Sequence, residues 1–146
     1  MDIYKDLYQQ LIIDHNQNPR NFSKLENASH SADGHNPLCG DVITVSLIKR
    51  DGIIEDIAFM GSGCAISKAS ASIMTSTLKG KKIEDAEVLF DNFHTLATTG
   101  ESPRNMGKLS VLAGVHKYPA RVKCATLAWH TFQGALNSST ETIQTE

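Results

Sequence analysis

Three cysteines and one aspartate are the residues of this sequence best suited to binding a metal ion. Cys39 lies in a turn that contains Pro and Gly, and Asp41 follows two residues later; Cys64 comes directly after Gly-Ser-Gly, and Cys124 lies far downstream. Each cysteine is expected at the end of a helix or strand, where binding sites are commonly built. Three thiolates and one carboxylate would satisfy tetrahedral Zn²⁺.

A metal site with these ligands would be better suited to ligand exchange than to a permanent structural role. The oxygen of Asp41 is a hard ligand among soft sulfurs, so we expect it to be the easiest ligand to exchange. A helix that starts near Cys64 would favour the thiolate form of this residue through its positive N-terminus. Arg121 and Lys123 would partly offset the negative charge of the four ligands.

A purely structural role of the cysteines remains open from the residues alone. Free cysteines are often buried as small apolar side chains, and the sequence has no Cys-x-x-Cys pair, so the spacing by itself is a weak indication of a metal site. The six histidines indicate less; His15, for example, would end the first helix, where an imidazolium interacts well with the helix dipole. We find no nucleophilic triad and no phosphate-binding motif.

Length and composition restrict the class of protein. The chain has 146 residues, of which 40% are hydrophobic, and this predicts one globular domain over residues 1–146, with residues 138–146 as a frayed tail. A formal charge of −2 and an aromatic content of 6% argue against a nucleic-acid partner. We find no apolar run of membrane-spanning length and no signal peptide, so we expect a soluble cytoplasmic protein without a membrane partner.

The hydrophobic periodicity predicts an α+β fold. Two β-branched runs on either side of Asp51-Gly52 predict a hairpin, and the polar segment 27–40 has room for a short edge strand. Helices are expected over residues 2–16 with Asp2 as the N-cap, 64–79 with Gly80 as the C-cap, 83–95 and 120–137, with a further short helix over residues 109–116. Strands that precede most of the helices predict a small antiparallel sheet with helices packed on one side.

Three segments together resemble the U-type iron–sulfur cluster assembly proteins, which include IscU, SufU and the N-terminal domain of NifU. The segments are Ala32–Asp41 (ADGHNPLCGD), Gly61–Ser67 (GSGCAIS) and Lys123-Cys124, and the likeness covers nearly the whole chain. The resemblance implies a SufE/IscU-like fold with a three-stranded antiparallel sheet. It also implies that Cys39, Asp41, Cys64 and Cys124 converge on one metal site.

Three departures from the scaffold branch look like the SufU branch of this family. Lys123 stands where scaffolds typically have His, and the stretch Tyr118–Lys123 (YPARVK) lacks the Leu-Pro-Pro-Val-Lys motif that docks a chaperone. The chain between Cys64 and Cys124 is also longer, with the extra length expected at residues 98–109. SufU members bind zinc and accept sulfur from a SufS-type cysteine desulfurase.

The resemblance therefore implies a zinc-dependent sulfurtransferase. A ligand from the desulfurase would free Cys39, which would attack the partner's persulfide and carry sulfur to a downstream cluster-building complex. Arg121 would give electrostatic support to Cys39. The alternatives are a scaffold on which iron or a [2Fe–2S] cluster occupies the same site, and a structural zinc domain that only mediates contacts.

Overall fold

A computed structural model describes residues 3–101, 106–137 and 143–144. The elements follow one another as α1 (Ile3–Gln17), β1 (His30–Asn36), β2 (Asp41–Arg50), β3 (Ile53–Ser62), α2 (Ala65–Leu78), α3 (Ile83–Thr99), a 3-10 helix (Gly107–Lys117), α4 (Pro119–Leu136) and β4 (Ile143–Gln144). The predicted N-cap Asp2 lies outside the described residues, as do positions 102–105 of the predicted extra segment. In the described part of the chain, no helix combines the length and the apolar character that a bilayer span needs.

The sheet has the order β3-β2-β1-β4, and its first three strands form the predicted antiparallel arrangement. Asp51 and Gly52 form the predicted turn between β2 and β3, with φ of 56° and 74°. Positive φ at both positions is the requirement of a tight hairpin turn, and Asp-Gly meets it at low cost. The α+β fold class is therefore confirmed.

Strand β1 is more extensive than the sequence suggests. It pairs with β2 over all seven of its residues, and on its other side Gly34 and His35 pair in parallel with β4. A Cβ at Gly34 would overlap Oγ1 of Thr131 in α4, so the missing side chain lets the strand lie close to this helix. The residues of β4, Ile143 and Gln144, belong to the segment expected to be frayed; here they form a short strand instead.

The predicted helices all form within four residues of their predicted bounds, and the short helix expected over 109–116 is the 3-10 helix. Helix α2 begins at Ala65 with Cys64 as its N-cap, and Lys79 rather than Gly80 is its C-cap. Helix α3 continues to Thr99, four residues beyond the predicted end, and Gly100 caps it in the left-handed conformation. Threonine hydroxyls in the last turns donate to carbonyl oxygens four residues back, which lets a threonine-rich end remain helical.

The core lies between the sheet and the helices. Helices α2 and α4 pack against the sheet, and α1, α3 and the 3-10 helix pack on those two. Phe93 of α3 stacks on Trp129 of α4 with 4.6 Å between ring centroids. The largest side chains with almost no solvent exposure come from every layer and include Leu47, Ile57, Phe59, Ile73, Met74, Phe93, Leu109, Trp129 and Phe132.

Candidate metal centre

The turn between β1 and β2 positions Cys39 and Asp41. Asn36 ends β1 and is paired with Asp41, the first residue of β2. Within the turn, the N–H of Gly40 donates to the carbonyl of Asn36 at 2.8 Å, and Gly40 has a φ of 73° that favours glycine. Cys39 is therefore exposed at the turn, whereas Asp41 is completely buried at the start of the strand.

The junction between β3 and α2 brings Cys64 to the same place. The backbone N–H of Cys64 donates to Oδ1 of Asp41 at 2.8 Å. Sγ of Cys64 accepts from the N–H of Ser67 at 3.4 Å and thereby caps α2. A Cβ at Gly63 would overlap the Asp41 carboxylate, so only glycine at this position leaves the carboxylate its space.

Cys124 approaches from α4, on the other side of the site. Its side chain is buried, and its Sγ lies 3.4 Å from Sγ of Cys39 and 3.6 Å from Nδ2 of Asn36. Residues far apart in the sequence therefore meet because α4 packs against β1 and β2. The core packing of α4 fixes the position of this third thiol.

Three of the four residues implied by the resemblance form one compact group, and Cys64 adjoins it through Asp41. One ligand atom from each of Cys39, Asp41 and Cys124 lies within 4.8 Å of the others. Sγ of Cys64 lies 3.9 Å from Oδ2 of Asp41. With Zn–S bonds of about 2.3 Å, two sulfurs of a tetrahedral zinc site are about 3.8 Å apart. The donor types fit Zn²⁺, and the Cys64 thiol would have to move closer to the other ligands to complete a tetrahedral set.

The thiols differ in their tendency to ionise. A hydrogen bond from the Cys124 thiol lowers the pKa of Cys64 to about 7, and the N–H of Ser67 acts in the same direction against the effect of burial. The same hydrogen bond raises the pKa of Cys124, and burial adds to this increase. The Cys124 thiol can also donate to Sγ of Cys39. Because it has one proton, it donates to either Cys64 or Cys39 at a given moment. Before a metal binds, Cys64 is the easier of the coupled pair Cys64 and Cys124 to deprotonate.

Cys39 and Asp41 differ in their exposure to solvent. Cys39 is exposed, whereas Asp41 is fully buried and accepts from the Cys64 N–H. The Cys64 N–H occupies Oδ1 of Asp41 and leaves Oδ2 facing the thiol of Cys64, so the expectation that Asp41 is the easiest ligand to exchange stays a prediction. Cys39 is the better placed of the two to meet a partner protein.

Arg121 lies in the first turn of α4, three residues before Cys124. Its guanidinium lies 4.5 Å from the centroid of the Tyr118 ring, and both side chains are exposed. In the described part of the chain, this aromatic ring is the side chain that Arg121 contacts, and the site thiols are not among its partners. The structure therefore brings Arg121 near the end of α4 that carries Cys124 without joining it to the ligands.

Asn36 was not singled out from the sequence, and Gly63 was noted there only as the glycine beside Cys64. Asn36 is completely buried beside Asp41 and Cys124, and Gly63 packs on the Asp41 carboxylate. Their signals were local: an Asn directly before Pro at a strand end, and a Gly directly before a cysteine. Neither signal shows by itself which side chain the residue will meet.

Comparison with known proteins shows the family. The model of the NifU-like N terminal domain matches residues 7–125, a stretch that contains all four residues of the site. The chain belongs to this family.

Among curated relatives, the zinc-dependent sulfurtransferase SufU of Bacillus subtilis is 46% identical over 130 residues, which cover 87% of each chain. The iron–sulfur cluster assembly scaffold protein IscU of Streptococcus pyogenes is 40% identical over 135 residues, which cover 91% of this chain and 84% of the relative. Among solved structures, an iron–sulfur cluster assembly scaffold protein for the SUF system from Fervidobacterium islandicum superimposes with a TM-score of 0.83 at 33% identity, and the match covers 90% of this chain and 97% of that one. The relatives thus carry both names that the sequence predicted, sulfurtransferase and scaffold.

Proposed function

We propose that this protein acts in iron–sulfur cluster assembly as a zinc-dependent sulfurtransferase. It accepts persulfide sulfur from a SufS-type cysteine desulfurase and passes it to a downstream cluster-building complex. The observation that carries the proposal is the contrast within the four-residue group, where Cys39 is exposed while Asp41 and Cys124 are buried and Cys64 is partly buried. One thiol can thus meet a partner while the other three groups stay in place. The free cysteines suit a reducing compartment, so the proposal places the protein in the cytoplasm.

Cys39, Asp41, Cys64 and Cys124 would hold the zinc ion. When bound, zinc keeps its cysteine ligands as thiolates and shields them from oxidation. The buried Asp41 and Cys124 anchor the site, and Cys64 ties it to the N-terminus of α2. Cys39 would be the ligand that a group from the docked desulfurase replaces.

The sulfur-transfer step needs only the Cys39 thiolate and the partner's persulfide. The thiolate attacks the outer sulfur of the persulfide, a new S–S bond forms on Cys39, and the partner's S–S bond breaks. The partner's cysteine leaves as a thiolate, and the transferred sulfur keeps its proton, so charge and atoms balance without an external oxidant. Leu38, which precedes Cys39, is 63% exposed and offers an apolar contact beside the reacting thiol.

Arg121 is assigned a supporting electrostatic role. Its guanidinium is exposed on the first turn of α4 and is held against the ring of Tyr118. A cation there would steady the negative charge of the attacking and leaving thiolates without taking part in bond formation. This role requires Arg121 to affect transfer more than it affects metal binding.

A scaffold function is the second candidate. Cysteine thiolates are the usual ligands of iron–sulfur clusters, and Asp41 would complete a set of four. The same donor atoms would then hold iron or a [2Fe–2S] cluster, and Cys39 would be a ligand without becoming a sulfur carrier. Several relatives bear the scaffold name. The two functions are distinguished by whether sulfur is found covalently attached to Cys39.

Trapping the persulfide tests the proposal. The zinc-loaded protein is incubated with a SufS-type desulfurase and cysteine, alkylated, digested and analysed by mass spectrometry. We expect one additional sulfur on the peptide that contains Cys39 and its loss in Cys39→Ala. A persulfide found only on Cys64 or Cys124, or undiminished sulfur acceptance by Cys39→Ala, would overturn the assignment.

A further inference from the structure

The side chain of Asn36 is a buried amide that faces two of the proposed ligands. Asn36 is the last residue of β1 and has no solvent exposure. Its Nδ2 lies 3.5 Å from Oδ2 of Asp41 and 3.6 Å from Sγ of Cys124. A polar group that is completely buried must have its hydrogen-bonding capacity met inside the protein, so these neighbours are its partners.

The turn fixes which end of the amide faces the ligands. The backbone N–H of Leu38 donates to Oδ1 of Asn36 at 3.2 Å, which is the pattern of an Asx turn. Because an N–H requires an acceptor, Oδ1 must face Leu38 and Nδ2 must face Asp41 and Cys124. The two protons on Nδ2 can serve both groups at once, and both groups are acceptors when they are ionised.

Cys39 has no comparable support. It is exposed, and its hydrogen-bond contact within the described residues is with the Cys124 thiol. The Asn36 amide thus reaches Asp41 and Cys124 but not the thiol that lies between them in the turn. The two supported groups are also the two buried ones.

We propose that Asn36 is a positioning residue that holds Asp41 and Cys124 on the metal while Cys39 departs. This inference rests on the proposed zinc-dependent function and assigns the selectivity of ligand release to one side chain. Hydrogen bonds from neighbouring groups orient metal ligands, and their loss typically weakens metal binding about 10- to 100-fold. Without the amide, Cys124 and Asp41 would compete with Cys39 to leave.

Two variants separate this role from the turn. Asn36→Ser keeps a neutral oxygen that can accept from the Leu38 N–H, but its side chain is too short to reach the ligands. Asn36→Ala removes both functions. If Asn36 serves only the turn, the Ser variant should match the wild type and only the Ala variant should be impaired. If Asn36 positions the ligands, both variants should bind metal similarly poorly.

The experiment measures zinc affinity by chelator competition and the absorption spectrum of the cobalt(II)-loaded protein. We expect both variants to bind zinc about 10- to 100-fold more weakly than the wild type. Their sulfur-to-cobalt charge-transfer bands should move to longer wavelength, because a thiolate that accepts no hydrogen bond is a stronger electron donor. Thr44→Val is the matched control, since it removes the hydrogen bond from Thr44 to Asp33 in the same hairpin without touching the ligands.

A wild-type measurement covers the case in which the variants do not fold. The side-chain amide signals of Asn36 in the NMR spectrum should shift strongly when zinc is added, and those of Asn21, which donates to Thr75 away from the site, should not. Wild-type affinity and spectrum in Asn36→Ser, or an unchanged Asn36 amide signal, would overturn this inference alone. A wild-type protein that bound neither zinc nor cobalt would instead contradict the proposed function.

Discussion

The backbone N–H of Cys64 donates a hydrogen bond of 2.8 Å to Oδ1 of Asp41. This bond joins the start of α2 to the start of β2, so two segments separated by a whole hairpin are fixed at one point. The positive N-terminus of α2 faces the carboxylate, which is a favourable arrangement. Asp41 therefore connects the elements that carry the site in addition to serving as a proposed ligand.

Replacing Asp41 should damage the site at least as much as replacing Cys39. Asp41→Ala leaves the Cys64 N–H without its acceptor, at a cost of about 1–3 kcal/mol. We expect Asp41→Ala to lower zinc affinity by a factor equal to or greater than that of Cys39→Ala, and to lower the unfolding free energy of the metal-free protein. Chelator competition and urea denaturation measure the two effects. Clearly tighter zinc binding by Asp41→Ala than by Cys39→Ala would contradict this expectation and support Asp41 as the exchangeable ligand.

Gly63→Ala should weaken metal binding while the fold persists. The added Cβ would overlap the Asp41 carboxylate and displace it from the ligand group. We expect zinc affinity to fall by about tenfold or more, as it does for lost support of a ligand. Gly114→Ala is the control, because a Cβ at Gly114 meets no atom within 4 Å. Equal zinc affinity of the two variants would contradict this account of Gly63.

Arg121→Ala should slow sulfur acceptance with little change in zinc affinity. Arg121 contacts Tyr118 and is exposed, so its removal leaves the ligands in place but removes a positive charge near the N-terminal end of α4. The rate of persulfide formation on Cys39 is compared with that of Lys117→Ala, which removes a nearby exposed charge. The same rate in both variants would remove Arg121 from the mechanism, and a parallel loss of zinc would indicate a structural role.

The stability of the metal-free protein should decrease in mild acid because His15 is buried. Burial lowers the pKa of His15 below its ordinary value of 6.5, and Arg20 acts in the same direction. Since the unfolded chain then binds protons more readily than the folded protein, stability falls as the pH drops below about 6.5 and levels off below the folded-state pKa. His130, which is partly buried, also has a pKa lowered by burial and contributes in the same sense.

Urea denaturation between pH 5 and 7.5 checks this dependence. His15→Gln should show a weaker decrease in unfolding free energy toward acid than the wild type. An identical slope would show that His15 is not involved. The sequence led us to expect a charged His15 at the end of α1. The structure instead buries this ring and places its Nδ1 2.6 Å from Oγ of Ser72, and the same measurement tests whether the ring is neutral in the folded protein.

The hairpin was predictable because its signals are local. Asp51-Gly52 between two β-branched runs leaves few alternatives to a tight turn, and the structure has both residues at positive φ. Strand β1 was harder to predict, since its inward positions are occupied by Ala32, Gly34 and Asn36. These small or polar residues carry no strong hydrophobic pattern, and only the close packing of α4 explains why they suit a strand.

The site was predictable in its members but not in its supports. The motifs around Cys39, Cys64 and Cys124 predicted which residues would meet; the structure groups Cys39, Asp41 and Cys124 and places Cys64 beside Asp41, and their role as metal ligands stays a prediction. Cys39 is exposed in the turn, whereas Asp41 is buried against the start of α2. This difference depends on tertiary packing, so no local sequence pattern could predict it. Asn36 likewise acquires its neighbours only when β1 and α4 pack together.

The most direct test of the central claim is alanine production from cysteine by a SufS-type desulfurase, titrated with this protein in zinc-loaded and metal-free forms. Alanine is released in each turnover, so an efficient sulfur acceptor accelerates its formation. We predict that the zinc-loaded form raises the rate to saturation and that zinc-loaded Cys39→Ala does not. A desulfurase rate unaffected by the zinc-loaded protein would contradict the sulfurtransferase function and make cluster assembly on a scaffold the leading alternative.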